Sequence, residues 1–219
     1  MYVLTPEILL LAYRSGVFPM GDTHSPDMVE WFRPDPRGIL PLAEFHIPHG
    51  LRRQLKKSEK SDWEIRIDED FERVMRCCAA RRETWITEPL IAIYCELHRR
   101  GVAHSLVVCK GDEWLGGLYG VHIGGAFFGE SMFHNVTDAS KVALFVLVEI
   151  LNAAEFSLLD MQWTTPHLVQ FGAKDVSAEI YEVLLRDALA QECEFLHPQI
   201  VAGRGKLSQI YKLSKSYCK

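Results

Sequence analysis

The 219-residue sequence has no apolar run long enough to cross a membrane. Its longest apolar stretches, such as residues 142–148, fall far short of the roughly 20 residues that a spanning helix needs. The N-terminus also has no basic segment ahead of an apolar run, so no secretory signal is expected. We therefore expect a cytoplasmic protein with no membrane partner.

The sequence also lacks the spacings that mark metal and nucleotide cofactors. No CxxC pair occurs, Pro48 interrupts the spacing of His46 and His49, and neither a Walker loop nor a dinucleotide fingerprint is present. We expect no metal and no cofactor, and we interpret the cysteines as reduced thiols, most of which fill the core. The six are Cys77, Cys78, Cys95, Cys109, Cys193 and Cys218.

The balance of residue types is that of a globular protein, with 48% hydrophobic and 24% charged residues. A net charge of -5 argues against a surface that binds nucleic acid everywhere. Two local runs are basic: residues 51–60 hold five cations and one acid, and residues 203–219 hold five cations and no acid. Such runs suit a phosphate backbone, but a solvated helix face and a frayed tail explain them equally well.

A small N-terminal α/β domain is predicted over residues 1–60. Thr5 can cap a helix that has Pro6 at its first position, and this helix should end near Gly16. Residues 17–49 contain six prolines and two glycines, which predicts short strands and loops.

Residues 61–219 alternate between strand-like and helix-like patterns and are predicted to form the larger domain. We predict strands at residues 63–68, 105–109, 114–121, 126–129 and 156–160, the middle three forming a meander. Helices are predicted over residues 71–78, from a cap at Thr87 to Gly101, over residues 141–154 with Asp138 or Ser140 as cap, and over residues 177–189. The fold class is therefore α/β, a mixed sheet flanked by helices.

Polar side chains close two of these strands. If residues 160–162 continue a strand, Asp160 and Gln162 share a face, and a carboxylate beside an amide could orient and deprotonate an amine. Glu130 ends an apolar strand, where a charge needs a partner or a chemical task; a carboxylate that reaches solvent or pairs with Lys141 is the alternative. From the residues alone, a turn cap at Asp160 and an exposed Gln162 remain open as alternatives.

Four aromatic residues offer rings on which a nucleobase could stack, each stack contributing about 1 to 3 kcal/mol. They are Trp31, Phe32, Trp85 and Tyr94. Core packing is the alternative for each of them.

Eight segments, in order, resemble the leucyl/phenylalanyl-tRNA-protein transferase family. They lie at residues 13–20 (YRSGVFPM), 31–38 (WFRPDPRG), 84–87 (TWIT), 97–105 (LH and AHS), 116–121 (GGLYGV), 128–133 (FGESMF), 139–141 (ASK) and 160–173 (DMQ, HL and FGA). Any one segment could arise by chance, but eight in the right order indicate kinship over residues 13–173.

The resemblance implies a small N-terminal domain and an acetyltransferase-like (GNAT-like) larger domain. It implies an enzyme that carries leucine, phenylalanine or methionine from aminoacyl-tRNA to the N-terminal arginine or lysine of a protein, which marks that protein for degradation. By resemblance Asp160 orients Gln162, whose carbonyl assists deprotonation of the amine, and Glu130 lies near the reacting end. The group that takes the proton stays open, and we expect a monomer.

The resemblance also assigns the substrate-binding residues. Trp85 and Tyr94 would stack on the terminal adenosine of the tRNA, and Trp31 and Phe32 are further candidate substrate-binding residues. The apolar pocket for the transferred side chain would comprise Leu118, Phe127, Leu144, Leu147 and Leu159. Core packing is again the alternative for the pocket.

Two other functions are compatible with the same predicted fold. An acetyl-CoA-dependent acetyltransferase needs a pyrophosphate loop, and the closest segment, residues 98–103, starts with the wrong residue and leads into a strand. A non-enzymatic tRNA-binding adaptor would use the basic and aromatic residues but not Glu130, Asp160 and Gln162 together.

Overall fold

A computed structural model describes residues 4–25, 28–58, 62–196 and 203–217. The helices are α1 (Pro6–Arg14), α2 (His49–Ser58), α3 (Phe71–Ala79), α4 (Glu88–Arg99), α5 (Ala139–Ala153), α6 (Pro166–Val169), α7 (Ala178–Leu189) and α8 (Leu207–Tyr217), with a 3-10 turn at Leu42–Glu44. The strands are β1 (Phe18–Gly21), β2 (Val29–Phe32), β3 (Arg37–Ile39), β4 (Trp63–Ile67), β5 (Ala103–Lys110), β6 (Glu113–Ile123), β7 (Ala126–His134), β8 (Leu158–Gln162), β9 (Lys174–Val176) and β10 (Arg204–Lys206).

One large mixed sheet organises the fold, in the strand order β10-β4-β5-β6-β7-β8-β3-β9. Its neighbours pair antiparallel except β7 and β8, which run parallel. The α5 helix connects these two strands, as a parallel pair requires a crossover. The predicted α/β class with a mixed sheet is confirmed.

The N-terminal segment follows the prediction closely. The Thr5 hydroxyl accepts a hydrogen bond from the Ile8 amide at 3.3 Å, and α1 gives way to Gly16 at φ +74°. The proline-rich stretch forms the hairpin β1-β2, a two-stranded sheet of its own. Residues 37–58, which the sequence analysis placed in the N-terminal domain, contribute β3 to the large sheet and pack α2 against α5 and α8.

The predicted meander is confirmed as β5-β6-β7, with longer strands than the pattern indicated. The sheet is irregular beside the middle strand, because the register of β6 and β7 shifts between Tyr119 and Gly120. A side chain at Gly120 would place its Cβ 2.3 Å from the Phe128 carbonyl oxygen, so only glycine fits this close approach.

Helix α4 begins after Thr87, as predicted, but the predicted side-chain cap is absent there. The Thr87 hydroxyl is buried and has no hydrogen-bond partner within the described residues. Helix α5 begins at Ala139, with the predicted Asp138 at the cap position in a left-handed conformation, whereas the other candidate, Ser140, lies inside the helix. Asp138 makes no side-chain cap, since its carboxylate pairs with Lys141 at 2.7 Å.

Two apolar cores lie on opposite faces of the large sheet. The first holds most of α5 together with Leu51 and Leu55 of α2. The second holds the inner faces of α1, α3, α4 and α7. Each face of the sheet is therefore covered, and the strand ends between the two cores are where polar groups come together.

The basic C-terminal run contributes to the fold rather than fraying throughout. Leu207, Ile210 and Tyr211 of α8 are buried in the first core, and β10 pairs with β4. Lys60 in the first basic run and Cys218 near the C-terminus lie outside the described residues. The other five cysteines are free thiols.

Candidate active site

The parallel pairing of β7 and β8 brings Glu130 and Gln162 together. Phe128 pairs with Asp160 in register, and Glu130 and Gln162 each follow two residues later. The two side chains therefore leave neighbouring strands at the same level, and the Gln162 amide donates to the Glu130 carboxylate at 2.9 Å. The strand pattern predicts Asp160 as the carboxylate beside the Gln162 side chain, and the structure places Glu130 there instead.

Glu130 is held in a hydrogen-bonded, almost fully buried position. Tyr94 donates its hydroxyl to the second carboxylate oxygen at 3.1 Å, and the Tyr13 hydroxyl contacts that of Tyr94. Burial raises the pKa of Glu130 to about 7, against the lowering effect of the tyrosines. Burial also raises the pKa of Tyr13 and Tyr94 well above the ordinary value, so both hydroxyls stay protonated and remain donors.

The alternative pairing of Glu130 with Lys141 is wrong. Lys141 lies in the first turn of α5 and binds Asp138, as described above. Glu130 instead keeps two neutral hydrogen-bond donors, which lets it change protonation near neutral pH.

Asp160 is placed differently from its neighbours. It is fully buried, binds the Arg37 guanidinium and the Tyr181 hydroxyl, and does not line the cavity that Glu130 and Gln162 border. Gln162 has φ +64°, so the regular two-residue strand period no longer fixes its side chain. The Asp160 carboxylate accepts a hydrogen bond from the Gln162 backbone amide at 2.8 Å.

A cavity of about 290 Å³ opens beside the Glu130–Gln162 pair. Its volume is just below the roughly 300–1,000 Å³ typical of ligand pockets, so it can hold a small group. Its apolar walls are Leu118, Met132, Leu144, Leu147, Met161 and Leu168. Its polar border adds Arg81, Ser131, Thr165 and His167 to Glu130 and Gln162, with the Trp85 ring beside them.

Three of the five predicted pocket residues, Leu118, Leu144 and Leu147, line this cavity. Phe127 and Leu159 lie in the same apolar core but are not among the lining residues. Both are almost completely buried, so they support the wall from behind in this conformation.

The predicted stacking residues divide into two groups. Trp85 lies at the cavity, where its ring is partly exposed. Tyr94 is fully buried with its hydroxyl on Glu130, so its ring has no open face and the expected stacking does not fit this structure. Trp31 and Phe32 lie on β2 away from the cavity lining, and Phe32 packs edge-on against Trp163.

Several residues of the site carried no usable sequence signal. Arg37 lies in one of the recognised segments, yet nothing in the sequence pairs it with Asp160, which is 123 residues away. Tyr181 is an ordinary buried helix position by its spacing. The cavity walls Met132, Met161 and Leu168 come from three elements that meet only in the folded chain.

The described part of the chain contains no group of three or more His, Cys, Asp or Glu side chains arranged to hold a metal ion. In the same part, no helix is both long and apolar enough to cross a bilayer. His104 instead binds Asp68 at 2.7 Å and His122 at 2.9 Å, away from the cavity.

Relatives with similar sequences cover almost the whole chain. A leucyl/phenylalanyl-tRNA–protein transferase from Cereibacter sphaeroides is 46% identical over 192 residues, which are 88% of each chain. One from Paramagnetospirillum magneticum is 50% identical over 196 residues, 88% of this chain and 92% of the relative. One from Akkermansia muciniphila is 49% identical over 194 residues, 86% of this chain and 98% of the relative.

Solved structures match more distantly. L-PGS from Bacillus licheniformis matches 85% of this chain and 58% of its own, with TM-score 0.40 and 15% identity. A GCN5-related N-acetyltransferase-like protein from Streptococcus suis matches 86% of this chain and 63% of its own, with TM-score 0.31 and 9% identity. Each of these structures is longer than the part of it that this chain spans.

The relatives define the class of protein as an aminoacyltransferase, and the mixed sheet and the site are compatible with this class. The family model for the leucyl/phenylalanyl-tRNA protein transferase matches residues 39–186, and that for its N-terminal domain matches residues 3–35. The chain belongs to the leucyl/phenylalanyl-tRNA-protein transferase family, so the predicted family is confirmed.

Proposed function

We propose that this chain transfers leucine, phenylalanine or, less readily, methionine from aminoacyl-tRNA to the N-terminal arginine or lysine of acceptor proteins in the cytoplasm. The product would carry a bulky N-terminal residue that marks it for degradation. The observation that supports this most directly is the junction of an apolar cavity with the Glu130–Gln162 pair.

The cavity suits the transferred amino acid. Leu144, Leu147 and Leu118 can surround an unbranched or branched apolar side chain or a ring, while the ester lies toward Glu130 and Gln162. One methylene in such a pocket changes the free energy of the transition state by about 1 to 3 kcal/mol, so methionine should be used with lower efficiency rather than rejected.

The chemical step would need positioning and the management of one proton. The α-amine of the acceptor attacks the ester carbon, the amide bond forms, and the ester bond to the ribose oxygen breaks. The Gln162 side-chain carbonyl accepts no hydrogen bond from the described residues and could hold one amine hydrogen. Glu130, with a pKa near 7, would take the proton and return it to the ribose oxygen.

The rest of the tRNA would bind through exposed cations. Arg52, Arg53, Lys56 and Lys57 are exposed on α2, and none forms an ion pair with another described residue. Leu51 and Leu55 are buried, so the opposite face of the helix anchors this basic surface. Trp85 would stack on the terminal adenosine at the cavity. We propose that the protein acts as a monomer.

The test is transfer of labelled leucine from leucyl-tRNA to a peptide that begins with arginine. A peptide that begins with alanine and a reaction supplied with acetyl-CoA are the controls. We expect transfer that needs the arginine terminus and that Gln162→Ala reduces strongly. The proposal would be contradicted if well-folded protein acetylated the peptide. It would also be contradicted if the protein transferred leucine neither to the arginine peptide nor to one that begins with lysine.

A further inference from the structure

Arg37 and Asp160 form a buried ion pair with two contacts. The Arg37 Nε donates to Asp160 Oδ1 at 3.0 Å, and Nη2 donates to Oδ2 at 2.6 Å. Both side chains are at most 1% exposed. Such a two-point contact fixes the plane of the carboxylate, which a single flexible ammonium group does not.

Arg37 is itself fixed on its other sides. Its Nη1 donates to the Gly16 carbonyl oxygen at 3.0 Å. Its guanidinium carbon lies 4.8 Å from the centre of the Phe18 ring and 4.7 Å from that of Tyr181. Arg37 therefore cannot shift without disturbing β1, the end of α1 and α7 together.

The fixed Asp160 carboxylate in turn holds the backbone of Gln162 in place. Its Oδ2 also accepts the Tyr181 hydroxyl at 2.6 Å, and its Oδ1 accepts the Gln162 backbone amide at 2.8 Å. Gln162 is at φ +64°, a conformation that a side-chain-bearing residue adopts only when its surroundings enforce it. In this conformation its side chain reaches Glu130.

We infer that Arg37 is a positioning residue that acts through Asp160 on Gln162 and so aims the Gln162 carbonyl at the reacting amine. The inference rests on the proposed function, because it assigns Arg37 a role in that reaction. Arg37 touches neither the cavity nor the reacting atoms, so its influence must pass along the chain of contacts from Asp160 to Gln162.

A purely structural tie is the competing explanation. Under that explanation, changing Arg37 would loosen the fold and lower activity in any background by the same factor. If Arg37 acts only through Gln162, its replacement should matter little once the Gln162 side chain has been removed. A double-mutant cycle on the two residues separates these cases.

The cycle uses Arg37→Lys, Gln162→Ala and the double variant, assayed with excess enzyme in single turnover. Lysine keeps the charge but cannot make the two-point contact. We expect Arg37→Lys to lower the maximal single-turnover rate by about 10²-fold. The enzyme concentration that gives half of this rate should change little. In the Gln162→Ala background, Arg37→Lys should lower the transfer rate by no more than about 2-fold. Equal losses in both backgrounds would overturn the inference.

Arg66→Lys is the matched control. Arg66 is also buried, bonds Glu69 at 2.8 Å and the Gly111 carbonyl oxygen at 2.6 Å, and lies away from the cavity. The Arg66→Lys substitution should lower the melting temperature without changing the transfer rate of folded protein.

If Arg37→Lys fails to fold, Tyr181→Phe replaces it in the same cycle, with a smaller loss of transfer rate expected. Absence of transfer by the wild type would overturn both proposals, whereas wild-type transfer with equal losses would overturn only this one.

Discussion

Gln162 donates its side-chain amide to Glu130 at 2.9 Å, just beyond the paired stretch of the parallel strands β7 and β8. The contact orients the amide so that its nitrogen faces the carboxylate and its carbonyl oxygen faces away. Two acceptors for amine hydrogens thus lie side by side, and only one of them titrates. Under the proposed mechanism, we therefore expect Glu130 rather than Gln162 to contribute to the pH dependence of the reaction.

We predict that the rate of transfer at saturating substrates rises with pH through a midpoint near 7. Burial raises the pKa of Glu130 to about 7, so the carboxyl is mostly protonated below this pH and mostly ionised above it. Only the ionised form can accept the proton, so activity is lost as pH falls. The measurement is the single-turnover rate between pH 5.5 and 9.

Glu130→Gln should lower the rate and remove this rising limb, because the amide cannot titrate. The acceptor amine has its own pKa of about 8, and its titration should remain in kcat/KM for the peptide. Glu149→Gln is the control, since burial also raises the pKa of Glu149 to about 7 but it lies outside the cavity lining. A midpoint near 7 that survives in Glu130→Gln would exclude Glu130 as the base.

The second prediction concerns the choice between leucine and phenylalanine. Leu144 is almost fully buried and lines the cavity, so Leu144→Ala should make room for a ring and remove contacts with a leucine side chain. We expect the ratio of kcat/KM for phenylalanine to that for leucine to rise by about 10-fold or more. Competition between the two charged tRNAs in one reaction measures this ratio.

Leu151→Ala supplies the comparison for that experiment. Leu151 is fully buried on the same helix and in the same core but does not line the cavity. Both variants should lose about 2 to 5 kcal/mol of unfolding free energy. An equal change of substrate ratio in the two variants would mean that the core as a whole, not the cavity wall, sets the preference.

Local patterns predicted most of the fold, because they act within a few residues. The helical spacing from Phe71 to Cys78 and the alternation in β4 depend on neighbours in sequence, and the structure confirms both. The strands β3, β9 and β10 have three residues each, too few for a period, and only their long-range pairing defines them. The sequence therefore predicts no strand at β9 or β10, and for β3 it predicts only short strands somewhere in residues 17–49.

The site was predictable only in part, for a similar reason. Glu130 and Gln162 stood out because each follows an apolar run; Gln162 does end β8, but β7 continues past Glu130 to His134. Their partners Tyr94 and Tyr13 come from two helices, and no local signal links a buried tyrosine to a carboxylate elsewhere. The Arg37–Asp160 pair closes a segment of more than a hundred residues, so only the folded chain reveals it.

The third prediction concerns stability at the start of α4. The Thr87 hydroxyl is buried without a partner, and Thr87→Val replaces it with a methyl group of similar shape. Removing an unsatisfied hydroxyl should raise the unfolding free energy by about 1 kcal/mol. For a chain of this size, that gain corresponds to an increase of about 2 to 4 °C in the melting temperature. Differential scanning calorimetry measures it.

Thr84→Val is the opposite case three residues earlier. The Thr84 hydroxyl accepts a hydrogen bond from the Ile86 amide at 3.1 Å, so its loss should lower the melting temperature. A decrease in Thr87→Val as large as that in Thr84→Val would show that the Thr87 hydroxyl has a partner, such as a bound water.

The fourth prediction concerns the basic surface of α2. Replacing Arg52, Arg53, Lys56 and Lys57 with glutamine should weaken tRNA binding and reduce its dependence on salt, because each cation that neutralises a phosphate releases counterions. If all four contact duplex phosphates, the slope of log K against log salt should become shallower by about 3 to 4. The helix itself should persist, since its buried leucines are unchanged.

Lys174→Gln with Arg186→Gln provides the charge control. Lys174 pairs with Glu44 at 2.9 Å and Arg186 with Asp187 at 2.9 Å, so these cations are already neutralised by neighbours. Their removal should leave the salt slope unchanged. Filter binding or fluorescence anisotropy with uncharged tRNA between 50 and 300 mM salt, concentrations at which phosphate contacts dominate, gives both slopes. If the α2 variant keeps the wild-type slope, tRNA does not bind along this helix, and the cations of α8 become the next surface to test.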